Sequence, residues 1–435
     1  MIARDGGLRR WLGLNSSTMA LLGAIFLITA ATELWSPLVP QYLKAPTKSA
    51  LGTPDAAAAV APALLILVGL YGFCRDGLEG LNYFAGGLLA GRINTRRALL
   101  VFNLLPLVGF AIISFWLSQP ELALFVAVPF VFVWDSIAGP ATITVVGDAI
   151  PPDRRTMAFS LQAIFRRLSR ILAYGISAGI LMLTSSVAVG FRYDLAVSAG
   201  LVLLAAALQF RYMKTASRDD RVSLHRPRDL LRRFPADLKR LLAADILARW
   251  AEGLAGPFII LYCVPRLSSD PARGAAVYQS LLLNIQAVTN IAMYLLVAPF
   301  ASRAGRAKKP YIGLTFVFFA LFPISLAVLG SIPGLLGLSL AFVVGGLREI
   351  GEPARKAMIA DLVPSDVRTQ AIGLYWSVRS FAVMLASPVG AAVWIAADHY
   401  RTGSGALATF SFAGLIGFVG AVAFFARFGR SPASA

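Results

Sequence analysis

Long apolar runs separated by short polar segments restrict the fold of this sequence more than any other feature. Most runs reach the ~20 apolar residues that a helix needs to cross the hydrocarbon core of a bilayer. We predict helices because an unpaired backbone amide in lipid costs several kcal/mol. The sequence therefore predicts an all-α membrane protein with twelve transmembrane helices. The predicted spans are residues 17–43, 59–90, 98–117, 121–148, 157–184, 188–211, 241–265, 276–301, 310–330, 334–361, 370–397 and 405–427.

Composition agrees with a membrane location. The chain is 57% hydrophobic and 14% charged, whereas soluble proteins have about 45–50% apolar and about 25% charged residues. The net charge of +18 is concentrated in the loops of one side, which the positive-inside rule places in the cytoplasm with both termini. We expect a protein of the bacterial cytoplasmic (inner) membrane whose basic loops contact anionic lipids, with no nucleic-acid partner.

The chain has few residues of the kinds that bind metals or form disulfides. The chain has two cysteines, both inside apolar runs, and two histidines. These numbers are too small for a disulfide framework or a metal site. No Walker sequence and no nucleophile–histidine pair stands in the spans, so we expect no metal, no cofactor, no enzyme activity and no ATP-driven step.

An internal repeat divides the chain into two halves. A shift of 213 residues places Pro140–Arg166 on Pro353–Arg379 without a gap, and ten of the 27 positions are identical. Six spans, a basic connection and six further spans of the same orientation indicate parallel repeats about an axis along the membrane normal. We predict six-helix bundles at residues 1–212 and 241–435, joined by a cytoplasmic basic linker at 213–240, in a protein that functions as a monomer.

The loop after span 2 and a weaker copy after span 8 carry a family resemblance. Residues 87–97 read Gly-Leu-Leu-Ala-Gly-Arg-Ile-Asn-Thr-Arg-Arg and resemble the signature loop of the major facilitator superfamily, with Gly91 in place of its acidic residue. The resemblance implies the fold of that superfamily, two pseudo-symmetric six-helix bundles that bind a solute between them and expose it alternately. The signature residues are Gly87, Arg92 and Arg96 in the first copy and Arg303, Gly305 and Arg306 in the second.

The resemblance makes a secondary active transporter of a small solute the leading interpretation, with proton coupling and export favoured. Two other classes stay open at this point. One is a lipid- or lysolipid-handling protein of the flippase type, and the other is a membrane sensor that transports nothing. Expected partners are a small-molecule substrate, protons and membrane lipids.

Ionisable residues inside the spans are the site candidates, because each costs at least ~2.5 kcal/mol at the centre of a bilayer. Glu33 in span 1 and Glu252 in span 7 occupy corresponding places in the two halves. A carboxyl group in such a place can bind and release a proton during a transport cycle. Permanent pairing, of Glu252 with Arg249 and of Glu33 with another span, is the structural alternative. The proton-coupling candidates are Glu33, Glu252, Asp76 and Asp135.

Further charged and aromatic residues are candidates for the substrate cavity or for gating. The repeat aligns Arg166 with Arg379, and two arginines facing one cavity would bind an anionic group. Structural pairing and core packing are the alternatives for all of them. The substrate-cavity candidates are Arg166, Arg379, Arg249, Glu349, Trp35 and Tyr375. The gating or salt-bridge candidates, among them the i,i+4 pairs Arg348/Glu352 and Glu352/Lys356, are Arg348, Glu352, Arg355, Lys356, Arg75 and Glu79.

Overall fold

Helices make up the regular structure of the described chain. The computed structural model describes residues 16–44, 60–89, 95–116, 118–133, 137, 155–184, 186–212, 226–301, 308–363 and 367–428. The helices of the first half are α1 (Ser16–Trp35), α2 (Pro62–Leu89), α3 (Thr95–Phe115), α4 (Pro120–Val131), α5 (Arg155–Leu183) and α6 (Val187–Tyr212). A short helix α7 (Pro227–Arg233) precedes the second half. The second half has α8 (Ala236–Leu267), α9 (Pro271–Val277), α10 (Asn284–Ala301), α11 (Lys308–Leu329), α12 (Leu335–Leu347), α13 (Glu352–Leu362), α14 (Arg368–Val383), α15 (Ala386–Tyr400) and α16 (Gly405–Phe428).

The helices follow the predicted spans, since each of those spans contains at least one described helix. Seven stretches of the described chain are long and apolar enough to cross a membrane. The all-α membrane fold is thereby confirmed, and the chain is an integral membrane protein. Its orientation in the membrane and the domain boundaries at residues 212 and 241 stay predictions.

Three of the predicted spans of the second half are interrupted helices. A π-helical segment, Tyr278–Leu283, separates α9 from α10, and short turns separate α12 from α13 and α14 from α15. The turn before α13 lies close against α11. The amide of Gly351 donates a hydrogen bond of 2.7 Å to Thr315 Oγ1 of α11, and a Cβ at Gly351 would collide with the backbone oxygen of Tyr311. Pro353 is the second residue of α13, in the first turn, where its missing N–H costs nothing.

Each half is held by packing among its own helices, and the halves meet along two lines. In the first half α6 packs on α1 and α3, and in the second half α16 packs on α8 and α11. Between the halves, α2 packs along α14 and α15, while α5 packs along the π-helical segment, α10 and α13. The hydroxyl of Ser377 ties α14 to α2 by donating to the carbonyl of Gly80 at 2.6 Å.

Two apolar clusters lie at opposite ends of the bundle. We call the end at which α1 begins the base and the other end the top. The base cluster includes Phe159, Leu238 and Phe424, and the top cluster includes Leu43 and Val264. Between them, the spans bring their ionisable residues to the middle of the bundle.

Close packing of α16 on α11 predicts that Gly417→Ala destabilises the second half. A Cβ at Gly417 would lie 2.7 Å from the Cα of Ala320, so the helices would have to separate, at a cost of about 1–3 kcal/mol in the free energy of unfolding. Thermal unfolding in detergent measures the change. Gly179→Ala is the matched control, because a Cβ there meets nothing within 4 Å; equal unfolding midpoints for the two variants would contradict the packing argument.

Candidate functional site

Ionisable side chains from both halves form a layer across the middle of the bundle, which we call the charged layer. The first half contributes residues of α1, α2 and α5, and the second half contributes residues of α8, α13, α14 and the turn before α13. Its described members are Glu33, Arg75, Asp76, Glu79, Arg166, Arg167, Arg170, Asp245, Arg249, Glu252, Arg348, Glu349, Glu352, Arg355, Lys356 and Arg379.

Asp245 of α8 is the most buried carboxylate of the charged layer, with 1% of its side chain exposed. It forms an ion pair with Arg355 of α13, which is equally buried, and it accepts a hydrogen bond of 3.2 Å from the hydroxyl of Tyr375. The guanidinium groups of Arg249 and Arg379 lie 3.9 Å from its oxygens. One carboxylate therefore ties together α8, α13 and α14. Asp245 is not among the site candidates that the sequence predicts.

Arg249 links that centre to two further carboxylates of the second half. Its guanidinium donates to Glu252 at 2.7 Å and to Glu352 at 3.4 Å. Glu352 also pairs with Arg355 at 2.7 Å and with Lys356 at 3.9 Å. The interpretation of this cluster as a salt-bridge network fits these contacts, and the predicted pair Glu352/Lys356 is present.

The predicted i,i+4 pair Arg348/Glu352 is not found among the described contacts. The chain turns at 348–351 instead of continuing as a helix, so the two side chains do not share a helical face. Arg348 instead lies 3.2 Å from Glu252. Glu252 therefore lies between Arg348 and Arg249. The contact with Arg249 agrees with the structural alternative stated for Glu252, and the contact with Arg348 was not predicted.

In the first half, the carboxylate of Glu33 has partners on α5. It lies 2.6 Å from Arg170 and accepts a hydrogen bond of 2.8 Å from the hydroxyl of Tyr174. Glu33 and Glu252 thus have corresponding settings, each an acid of the first span of its half beside arginine. Tyr174 was not identified from the sequence, because one tyrosine in an apolar helix carries no distinguishing signal.

One ion pair of the charged layer joins the two halves. Arg167 of α5 lies 3.1 Å from Glu349, and the hydroxyl of Tyr294 on α10 donates to the same carboxylate at 3.1 Å. Both ionic side chains are nearly buried, with 13% and 9% exposed. Sequence reasoning offered Glu349 as a cavity residue and missed its partners, because the contact joins residues far apart in the chain.

Asp76 of α2 takes part in no ion pair among the described residues. Arg75 and Glu79, one helical turn apart, are 3.7 Å from each other. Of the ionic side chains that form pairs in the charged layer, Arg75 is the most exposed, with 44% of its side chain accessible. The helix that carries these residues packs along α14 of the second half.

Aromatic rings cover several of the guanidinium groups. Arg379 lies 3.9 Å and Arg355 5.0 Å from the ring centre of Trp376. Arg249 lies 4.7 Å from the centre of the Phe319 ring. Such contacts are worth up to ~2 kcal/mol when desolvated. They add to the ion pairs in orienting these arginine side chains.

Trp35 has a different place from that proposed for it. Its side chain is fully buried and packs at 5.6–6.0 Å between ring centres against Phe110, Phe132 and Phe191. These neighbours belong to the top cluster, so the surroundings of Trp35 favour core packing over substrate contact. Tyr375, in contrast, reaches the charged layer through Asp245.

Some candidates lie outside the described residues, namely Asp135, Arg92, Arg303, Gly305 and Arg306. Gly87 lies in α2 and Arg96 in α3, but their side chains are outside the described part of the chain. Arg166 lies in α5 within the charged layer. Within the described ranges no group of three or more His, Cys, Asp or Glu side chains is placed to hold a metal ion.

Comparisons with known proteins identify the fold. No protein-family model matches the sequence, and no curated protein matches it. Solved structures match over nearly the whole chain. The human organic anion transporter MFSD10 (TETRAN) is 15% identical, with a TM-score of 0.66 over 94% of this chain and 99% of that one. An auto-inhibited peptide transporter of the POT family is 12% identical, with a TM-score of 0.67 over 96% and 98%.

The proton:xylose symporter XylE of the major facilitator superfamily is 16% identical, with a TM-score of 0.64 over 95% of each chain. At these identities the likeness is one of fold. The chain therefore has the fold of the major facilitator superfamily, as its loop signature and repeat predicted, and the proteins that share the fold in these comparisons are transporters.

Asp245→Asn tests the ion-pair centre. Removing the carboxylate charge leaves the buried Arg355 with Glu352 as its only described carboxylate partner, so we expect a loss of up to about 3–5 kcal/mol in the free energy of unfolding. Denaturation in detergent micelles measures it. Asp237→Asn is the control, because Asp237 and Arg240 form a pair that is 43% and 46% exposed and worth about 0–1 kcal/mol. The double variant Asp245→Asn/Arg355→Gln should recover part of the loss, and an undiminished double-variant loss would refute the pairing.

Proposed function

We propose that this chain, which has the fold of the major facilitator superfamily, is a secondary active transporter that moves a small solute by alternating access. The observation that carries the proposal is the charged layer. Both halves place ionic side chains in the middle of a membrane bundle, and the pair Arg167–Glu349 joins them at 3.1 Å. Ionic groups at this depth are costly, and they are found where a substrate or ion pathway requires them.

A contribution to stability does not by itself explain the charged layer. Replacing buried ion pairs by packed apolar side chains is often neutral or stabilising by 1–4 kcal/mol. Several linked pairs in one bundle therefore favour a role in which the pairs exchange partners. Arg249, with three carboxylates within 3.9 Å, is placed for such exchange.

Proton coupling is the driving force that the layer favours. Glu33 and Glu252 correspond in the two halves, and their side chains are 14% and 30% exposed, so both are open to water in part. Protonation of either carboxylate would release its arginine partner, Arg170 for Glu33 and Arg249 or Arg348 for Glu252. A released arginine can pair with an acid or with a substrate group, which links proton binding to rearrangement of the halves. Export is the favoured direction.

An organic anion is the substrate class that best fits the charges. In the described layer, basic side chains outnumber carboxylates. Arg379 meets Asp245 only at 3.9 Å and is supported by the face of Trp376, so its fork of donors is held in place for a further acceptor. The fold is shared with an organic anion transporter, which is consistent with this class.

The proton-coupling proposal predicts the effect of neutral variants on transport. In proteoliposomes with an imposed pH gradient and a panel of radiolabelled solutes, Glu33→Gln and Glu252→Gln should lose gradient-driven transport by about tenfold or more, equivalent to ~1.4 kcal/mol. They should retain solute exchange at equal pH, because exchange moves no net proton. Asp229→Asn in the exposed part of α7 is the control. Transport that ignores both the gradient and the two variants would overturn proton coupling.

The anion proposal predicts which ligands stabilise the protein. Thermal unfolding at fixed ionic strength, with matched panels of organic anions, cations, neutral solutes and lysolipids, should show stabilisation by anions. Arg379→Ala should abolish that stabilisation, whereas Arg273→Ala, whose side chain is 73% exposed, should preserve it. Stabilisation by neutral or cationic solutes would contradict the anion class, and stabilisation by lysolipids alone would favour a lipid-handling protein.

A further inference from the structure

A buried chain of hydrogen bonds joins the two halves near the top, away from the charged layer. Gln279 Nε2 donates to Ser177 Oγ at 2.7 Å, and Ser177 Oγ donates to Asp194 Oδ2 at 2.7 Å. All three residues are fully buried. Gln279 belongs to the second half, whereas Ser177 and Asp194 belong to the first. We call these three residues the top latch.

The helices around the top latch hold it in a defined place. Ser198, one turn after Asp194 on α6, donates to the carbonyls of both Asp194 and Ala31 at 2.7 Å, which fixes α6 on α1. Gln279 lies in the π-helical segment Tyr278–Leu283. Single-turn π-helical insertions are rare and frequently mark functional positions. Here the insertion presents the Gln279 side chain to the other half.

Among the described residues, no basic side chain forms an ion pair with Asp194. Its carboxyl group accepts a hydrogen bond from the Ser177 hydroxyl, whereas its Oδ1 and the Oε1 of Gln279 have no described hydrogen-bond partner. Titratable groups do occur on the packed elements: Glu33 on α1, Tyr174 on α5 and Tyr278 beside Gln279, with Arg192 two residues away on the exposed side of α6. None of them forms a described contact with the Asp194 carboxyl group.

A fully buried carboxylate without a counter-charge is far more costly than a neutral carboxyl group. When the halves are joined at the top, burial therefore favours the protonated form of Asp194 over its ionised form. Separation of the halves would remove Gln279 and admit water, and hydration makes ionisation possible. Closure of the top and proton uptake by Asp194 are then linked, each favouring the other.

We propose that Asp194 is a proton-binding site separate from the charged layer, and that its protonation holds the top latch closed. The proton comes from water on the top side when the latch closes and returns there when it opens. The inference rests on the proposed alternating-access function, but its test needs neither a substrate nor transport. A failure of the transport experiments and a failure of this site can thus be told apart.

Infrared difference spectroscopy detects the proton directly. Full-length protein in lipid bilayers is titrated from acid to alkaline pH, and the C=O stretching band of a protonated carboxyl group is followed. We expect a band that is lost in Asp194→Asn and retained in the double variant Glu33→Gln/Glu252→Gln. A spectrum of Asp194→Asn that keeps every carboxyl band of the parent would overturn the proposal.

Distance measurement between spin labels tests the latch. Labels at Ser118 and Thr402, both exposed beside top-side loops in opposite halves, are introduced after replacement of Cys74 and Cys263 by alanine. We expect the parent to shift from short to long distances as pH rises. Asp194→Asn, which keeps the size and hydrogen-bonding capacity of the side chain, should stay at the short distance at every pH.

Gln279→Ala keeps the acid and removes the donor of the other half, so it should shift towards long distances at acid pH. This variant also tests the top latch if Asp194→Asn does not fold. An Asp194→Asn variant that titrates like the parent, or a Gln279→Ala variant with the parent's distances, would overturn the latch.

Discussion

Mutual neutralisation of buried charge is the condition on which this bundle depends. Most ionic side chains in the middle of this bundle have a partner of opposite sign, because an unpaired charge is costly where little water reaches it. Asp245 meets this condition for three arginines at once. The positions of α8, α13 and α14 follow from it, since these helices must come close enough for one carboxylate to reach guanidinium groups on each of them.

The interrupted helices make this neutralisation possible. A continuous helix through span 10 would place Arg348 and Glu352 on one face and pair them with each other. The turn at 348–351 instead sends Arg348 to Glu252 and Glu349 to Arg167 of the other half. The absence of a side chain at Gly351 lets this turn lie against the backbone of α11. Close backbone packing in one place thus decides which charges meet in another.

The sequence predicts the membrane fold well, because hydrophobic length and the internal repeat are local or periodic signals. It also points to every second-half member of the charged layer except Asp245, since ionic residues in apolar runs are conspicuous. It does not reveal their pairing. Asp245 with Arg355 and Arg167 with Glu349 are separated by more than 100 residues, and only packing of the helices selects them. Trp35 shows the opposite case, a conspicuous residue whose neighbours are apolar rings.

The turn before α13 gives two adjacent residues different partners. Arg348 forms its ion pair within its own half, and Glu349 forms its ion pair with the other half. Movement of one half against the other would strain the contact of Glu349 and leave that of Arg348 untouched.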